Sequence, residues 1–153
     1  MTKTDKEMAV AALESGTVID HIPSDALFKC VKILRLAEMP HKLTIGNNLE
    51  SGRLGTKGII KVADTFFPEA VLNRIALIAP SAVVNIIRDY KVAEKRPVSL
   101  PKQLRGIVKC NNPKCITNNE PMATIFEADA DNSALIRCRY CNHTVEAAKA
   151  EIL

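Results

Sequence analysis

Four of the five cysteines in this chain fall in its last third, and they fall as two pairs. Cys110 and Cys115 enclose Asn-Asn-Pro-Lys, Cys138 and Cys141 enclose Arg-Tyr, and 22 residues separate the pairs. Two short cysteine loops facing each other deliver four thiolates in a tetrahedron, the closed geometry of structural zinc. A catalytic zinc keeps one position for water and usually recruits His or carboxylate, whereas four cysteines leave no position open. Cys110, Cys115, Cys138 and Cys141 are therefore assigned to one structural Zn2+, with iron or unliganded buried thiols as the alternatives. His143 reads as a strand residue rather than a fifth ligand. Only 53 residues follow position 100, and so short a piece buries little core by itself. Structural zinc supplies on the order of 10–16 kcal/mol in small peptides, more than the whole stability of many domains. The metal should decide whether this part folds.

The rest of the composition is that of an ordinary globular chain. Of 153 residues, 47% are apolar and 25% charged, which argues against disorder as the dominant state. Aromatics make up 4% and Trp is absent, which argues against a base-stacking platform. A net charge of +4 suits an anionic small molecule as well as a nucleic acid. No apolar run approaches the roughly 18 residues that a membrane span needs. The N-terminus carries acids and has no signal-type apolar core, so the chain is expected to be cytoplasmic, with no membrane partner. Cysteines in that compartment more often serve metal or core than disulfides.

The chain divides near residue 100. Lys95–Lys102 contains Pro97 and Pro101, and proline fixes φ and removes a backbone donor, so this stretch reads as an extended linker. Residues 1–100 form one unit and 101–153 a second. The first unit reads as strand, helix, strand, strand, helix, strand. A β-branched strand covers 16–22. Ser24 is placed to cap a helix running to about Ala37, with Leu27, Cys30, Val31 and Leu34 on its buried face. Strands follow at 43–49 and 58–66, around a glycine-rich connection. Pro68 opens a second helix with Leu72, Ile75, Ala76 and Ala79 inside. Residues 81–92 read as one long final strand. The fold class is thus α+β: a ferredoxin-like βαββαβ unit, then a small, mainly β unit of zinc-ribbon type. A small sheet covered on one face leaves edges to be managed, and pairing with a second copy is one solution.

Zinc ribbons often bind nucleic acid, so a free-standing zinc protein of that kind is the alternative reading. Residues 101–153 carry 7 basic and 6 acidic side chains, too even a balance for a phosphate-binding face. The first unit, with 14 basic and 11 acidic, holds a looser set. Asp20 and His21 sit on its first strand, Lys57 and Lys61 around its third, and Asn85, Ile87 and Tyr90 along its last, followed by Lys95. Lysines supply point charges for phosphates, and Asp and Asn read hydroxyls and amino groups. By itself this set is also what a solvated face looks like. No Walker or Rossmann loop is present, and no local signature pairs a nucleophile with a base. Cys30 reads as core.

The segments GTVIDHIP, LTIG-NL-SG---K--IK and IAP-A-VN-I--Y-V--K, with C-x4-CI and C-x-YC, resemble the regulatory chains of aspartate carbamoyltransferase over nearly the whole length. The resemblance implies a non-catalytic subunit in pyrimidine biosynthesis. Its first domain would bind CTP as inhibitor and ATP as activator at one shared site. Its zinc domain would dock the separately encoded catalytic chain. The implied assembly has three regulatory homodimers joining two catalytic trimers, six chains of each kind. Carried over residue by residue, the resemblance implies backbone contacts to the base around Val10, Ala11, Ala12 and Leu13. It implies that Asp20 binds the ribose with Lys61 beside it, that His21 and Lys95 lie near the phosphates, and that Lys57 is a further site lysine. Asn85, Ile87, Tyr90 and Val92 would contribute from the last strand, Ile87 and Tyr90 near the base.

Overall fold

The computed structural model describes residues 13–52, 54–129, 131–132 and 134–153. Strand β1 (Gly16–Pro23) leads into helix α1 (Leu27–Ile33) and a single 3-10 turn, Leu36–Glu38. Strands β2 (Leu43–Ser51) and β3 (Gly55–Ala63) form a hairpin. Helix α2 (Glu69–Leu72) runs on as a 3-10 turn, Asn73–Leu77, before β4 (Val83–Arg88) and β5 (Lys91–Pro97). Among the described residues these strands make one antiparallel sheet in the order β2-β3-β1-β4-β5. The C-terminal part has β6 (Gln103–Arg105), β8 (Ile125–Ala128), β9 (Leu135–Cys138) and β10 (Thr144–Glu146) in one small sheet. A two-stranded ladder pairs β7 (Val108–Lys109) with β11 (Glu151–Ile152).

Strand alternation sorts the large sheet into two faces. Ile19, Ile22, Ile60, Val62, Val84 and Ile86 face the helices and meet Leu27, Cys30, Leu72, Ile75 and Ala79 in one core. Of the residues expected on the two buried helix faces, all lie inside except Val31, which is half-buried. The core continues through Val98, Leu104, Ile107 and Val108 to Phe126, Ile136 and Ile152, so the two parts of the chain share one apolar interior. The Lys29 ammonium donates to the Ala148 carbonyl across this boundary at 3.2 Å. Beside it an apolar crevice of about 560 Å³ opens between Ala76–Pro80 and Glu146–Ala148.

Three local expectations change. Helix α1 starts later than Ser24: Ala26 occupies the cap position, and the Ser24 hydroxyl instead donates to the Thr56 hydroxyl at 2.9 Å. The helix also stops at Ile33, because Arg35 takes a left-handed conformation with φ 54°. The long final strand is two strands. Asp89 and Tyr90, at φ 52° and 64°, turn the chain back in the doubly left-handed way a tight hairpin needs. The first half of the expected linker, Lys95–Pro97, is thereby the end of β5.

Gly16 shows how tightly β1 is held. Its φ is +144°, and a Cβ there would lie 2.1 Å from the Val62 carbonyl oxygen. Neither a side chain nor a shift of that backbone is compatible with the ladder. Gly16→Ala should destabilise the chain by about 2 kcal/mol or more, read as a lower midpoint of denaturant unfolding of the zinc-loaded protein. An unchanged midpoint would show that β1 and β3 can separate at no cost.

Candidate functional site

The first candidate site is the cysteine cluster. Cys110 directly follows β7, Cys115 closes the turn after it, Cys138 ends β9 and Cys141 closes the next turn. The four Sγ atoms lie within 4.8 Å of one another. Cys110 and Cys141 are 3.6 Å apart and Cys115 and Cys138 are 3.7 Å apart, sulfur to sulfur. A tetrahedral zinc with Zn–S bonds of about 2.3 Å separates its sulfurs by about 3.8 Å, so the donor set fits one structural zinc. His143 is outside the cluster. It lies just before β10 and uses its carbonyl to accept the Cys138 amide at 2.9 Å.

Three of the thiols are buried and Cys141 is half-buried. Burial pushes the Cys110 thiol up to about 12. Burial also raises Cys141, but hydrogen bonds from the His143 backbone, Asn112 and the neighbouring thiols outweigh it and bring it down to about 7. A metal is the natural stabiliser of four sulfurs so crowded, because thiolate is the form it binds. The Thr117 hydroxyl lies 3.2 Å from Cys115 Sγ. Large apolar side chains stand exposed on both cysteine loops, Ile116 and Tyr140.

The second candidate site is the sheet face that the helices leave uncovered. Residues directly opposite in antiparallel strands point to the same side. Thr44, Lys61, Val18, Asn85 and Lys95 are successive partners across β2, β3, β1, β4 and β5, so they form one row across the sheet. Gly16, Ile87 and Val92 are partners in a neighbouring row. Val18, Ile59 and Ile87 form a small apolar patch, with Leu13 packed against it.

At one end of this patch lies a buried ion pair. Lys57 Nζ donates to Asp20 Oδ1 at 2.8 Å, and the His21 amide donates to the same oxygen at 2.7 Å. Asp20 is 5% exposed and Lys57 8%. The pair is made possible by an irregularity in the β1–β3 register between Ile19 and Ile22, where His21 takes φ 57°. Burial raises the Asp20 carboxyl, but the Lys57 ammonium and the His21 amide outweigh it and hold the group below its ordinary 3.8. Burial lowers Lys61 below its ordinary 10.5, against the pull of the Asp20 charge.

The structure thus gathers Leu13, Asp20, Lys57, Lys61, Asn85, Ile87, Val92 and Lys95 on one face. His21 lies beside the ion pair, its carbonyl accepting the Ser81 hydroxyl at 2.9 Å. Asp20 makes its direct ion pair with Lys57; Lys61 acts on it at longer range. Tyr90 is 59% exposed and sits on the turn, its amide donating to the Glu14 carbonyl at 3.0 Å. Val10, Ala11 and Ala12 lie outside the described residues. Sequence reasoning missed Val18 and Thr44. Both follow from the register, and only Val18 had a local signal, its place two residues before Asp20.

Two family profiles match the chain: "aspartate carbamoyltransferase regulatory chain, allosteric domain" over residues 8–99 and the metal-binding domain of the same chain over 102–151. A regulatory chain of that enzyme from Parabacteroides distasonis is 55% identical over 140 residues, covering 92% of this chain and 91% of its own. One from Bacteroides thetaiotaomicron is 50% identical over the full length of both. The counterpart from Pyrococcus horikoshii is 45% identical over 142 residues, 92% of this chain and 93% of its own.

Two measurements test these geometries. Asp20→Ala strands a buried ammonium and should cost about 3–5 kcal/mol, and adding Lys57→Met should recover much of the loss. The pair's contribution is fully present above pH 3.8 and is lost as pH falls below it through the lower folded value. Additive losses in the double variant would mean that the two groups do not interact. Stripping the zinc, or Cys115→Ser, should abolish amide-exchange protection across β6–β11 while β1, β3 and β4 stay protected. Protection of Phe126 and Ile136 retained without metal would contradict the metal's structural role.

Proposed function

Because the chain belongs to the regulatory chains of aspartate carbamoyltransferase, we propose that it binds CTP as inhibitor and ATP as activator at one shared site on the helix-free sheet face. The chain is a regulatory, non-catalytic subunit with an allosteric and a metal-binding region. The observation that carries the nucleotide reading is the row Lys61–Val18–Asn85–Lys95, flanked by the Asp20–Lys57 pair. It sets two cations and an amide around a small apolar floor, the mix of charges, hydrogen bonds and contact area that a nucleoside triphosphate requires.

With Oδ1 of Asp20 engaged by Lys57 and the His21 amide, Oδ2 is the acceptor for a ribose hydroxyl. Lys57 is neutralised by Asp20, which leaves Lys61 and Lys95, with His21, to meet phosphate. Ile87 and Tyr90 lie toward the base, with Val92 beside Ile87 and Leu13 packed on the same apolar patch. The strand order β2-β3-β1-β4 with both helices on one face supports a ferredoxin-like domain over residues 1–100, followed by the zinc domain over 101–153.

The zinc domain docks the catalytic chain. Three regulatory homodimers with two catalytic trimers, in the cytoplasm, complete the assembly. The edges of the sheet support pairing of two copies through β2. That edge shows Ile45 and Leu49, both exposed, and has no charged residue from Leu43 to Leu49. The β5 edge carries Lys91, Glu94, Lys95, Arg96 and Pro97, the features that discourage pairing. CTP and ATP compete for one site, so their opposite effects require different relative affinities for two quaternary states. Such couplings are typically about 1–3 kcal/mol.

Lys61→Ala should weaken both CTP and ATP by roughly 10- to 100-fold, the effect of losing one charge-assisted hydrogen bond, while zinc content stays at one per chain. Calorimetric titration of the zinc-loaded chain measures both. Unchanged affinity for the two nucleotides would remove Lys61 from the site.

A further inference from the structure

The two cysteine loops are held in different ways. The Cys138–Cys141 loop is short and closes on its own backbone, with the Asn142 amide donating to the Cys138 carbonyl at 2.9 Å. The Cys110–Cys115 loop has two more residues between its ligands and contains Pro113, which has no N–H to donate. Within it the Cys115 amide donates to the Asn112 carbonyl at 3.0 Å.

Four of that loop's carbonyls are met by two side chains from outside it. Asn118 Nδ2 donates to the Cys110 carbonyl at 2.9 Å and to the Asn112 carbonyl at 2.8 Å. Asn119 Nδ2 donates to the Pro113 carbonyl at 3.2 Å and to the Cys115 carbonyl at 2.9 Å. Each amide thus uses both of its N–H groups, its full donor capacity. The four acceptors span the loop from one ligand to the other. The 3-10 turn Ile116–Asn118 directs these side chains back, because its tight winding returns the chain over the loop it has just left.

We propose that Asn118 and Asn119 are positioning residues for the metal: a double fork that fixes the main chain of the first cysteine loop, and with it the directions of Cys110 and Cys115. The inference rests on the zinc assignment above. Groups that orient first ligands commonly change metal affinity by about 10- to 100-fold when removed. The fork has a specific consequence. A loop held by side chains that touch no metal keeps its shape when one thiolate lets go. The free thiolate then recaptures the ion before it escapes, so the fork should act mainly on metal release.

The test uses the full-length zinc-loaded chain. Zinc release into excess chromogenic chelator is timed for the wild type, Asn118→Ala, Asn119→Ala and the double variant. Release should quicken by about 10-fold or more in Asn118→Ala and further in the double variant. Asn118→Asp, which keeps the shape but turns both donors into acceptors facing carbonyls, should release at least as fast as Asn118→Ala. Cobalt substitution supplies a second readout: the ligand-field and thiolate charge-transfer bands should broaden or shift in the fork variants. Ile136→Val serves as the control that loosens the same core without touching the fork, and its cobalt spectrum should match the wild type. Release within twofold of wild type in the double variant, or equal spectral changes in Ile136→Val, would overturn the proposal. A wild-type chain that holds no metal would overturn the zinc assignment beneath it.

Discussion

Everything after the large sheet depends on four sulfurs meeting at one point. The strands there are two to four residues long, and the largest fully buried side chains among them are Phe126, Leu104 and Ile136. So little apolar burial cannot offset the ordering of fifty residues. The metal joins the turn after β7 to the turn after β9, and those two turns hold the ends of both small ladders. Once they are fixed, β11 can pair with β7, and Ile152 and Ala150 can close the core that runs back to helix α1. The metal-dependent part is therefore continuous with the sheet through packed side chains.

The sheet divides its labour by face. One face buries isoleucine and valine under the helices, and that burial holds the strands in register. The other carries Asp20, Lys57, Lys61, Asn85 and Lys95, whose polar groups no helix among the described residues covers. Register turns residues far apart in sequence into neighbours, since Lys61, Val18, Asn85 and Lys95 come from four strands. The Asp20–Lys57 pair sets the charge of this face. It consumes one cation and one anion and leaves the excess positive charge on Lys61 and Lys95. A ligand that binds here bears on β1 and β4, and β4 leads through β5 and Val98 into the shared core. That is a contiguous physical path, and any coupling along it would require a ligand with different affinities for two states.

The metal site was the most legible part of the sequence. Cysteine spacing restricts geometry so strongly that the four ligands follow from it alone. The helix faces were legible for the same kind of reason, a fixed period read against Leu27, Cys30, Leu72 and Ile75. The hairpin at Asp89–Tyr90 was not. Its flanks, Val83–Arg88 and Lys91–Pro97, both read as strand, no glycine marks the turn, and a bulky tyrosine is an unusual occupant of a left-handed position. The start of α1 was misplaced because Ser24 has the chemistry of a cap, but its hydroxyl goes to Thr56 on a strand distant in sequence. On the sheet face the individual residues were singled out by strand placement and by resemblance, but Lys57 as the direct partner of Asp20 was not. It depends on a register irregularity at His21 that no local pattern announces.

If the sheet face is the nucleotide site, a ligand bound there alters chemistry performed on another chain. The most direct measurement mixes the zinc-loaded chain with its cognate catalytic trimer and follows carbamoyl transfer to aspartate with and without CTP and ATP. The expected result is a larger complex whose activity CTP lowers and ATP raises, with both responses weakened by Lys61→Ala. A complex whose activity ignores both nucleotides, or the absence of any complex, would contradict it.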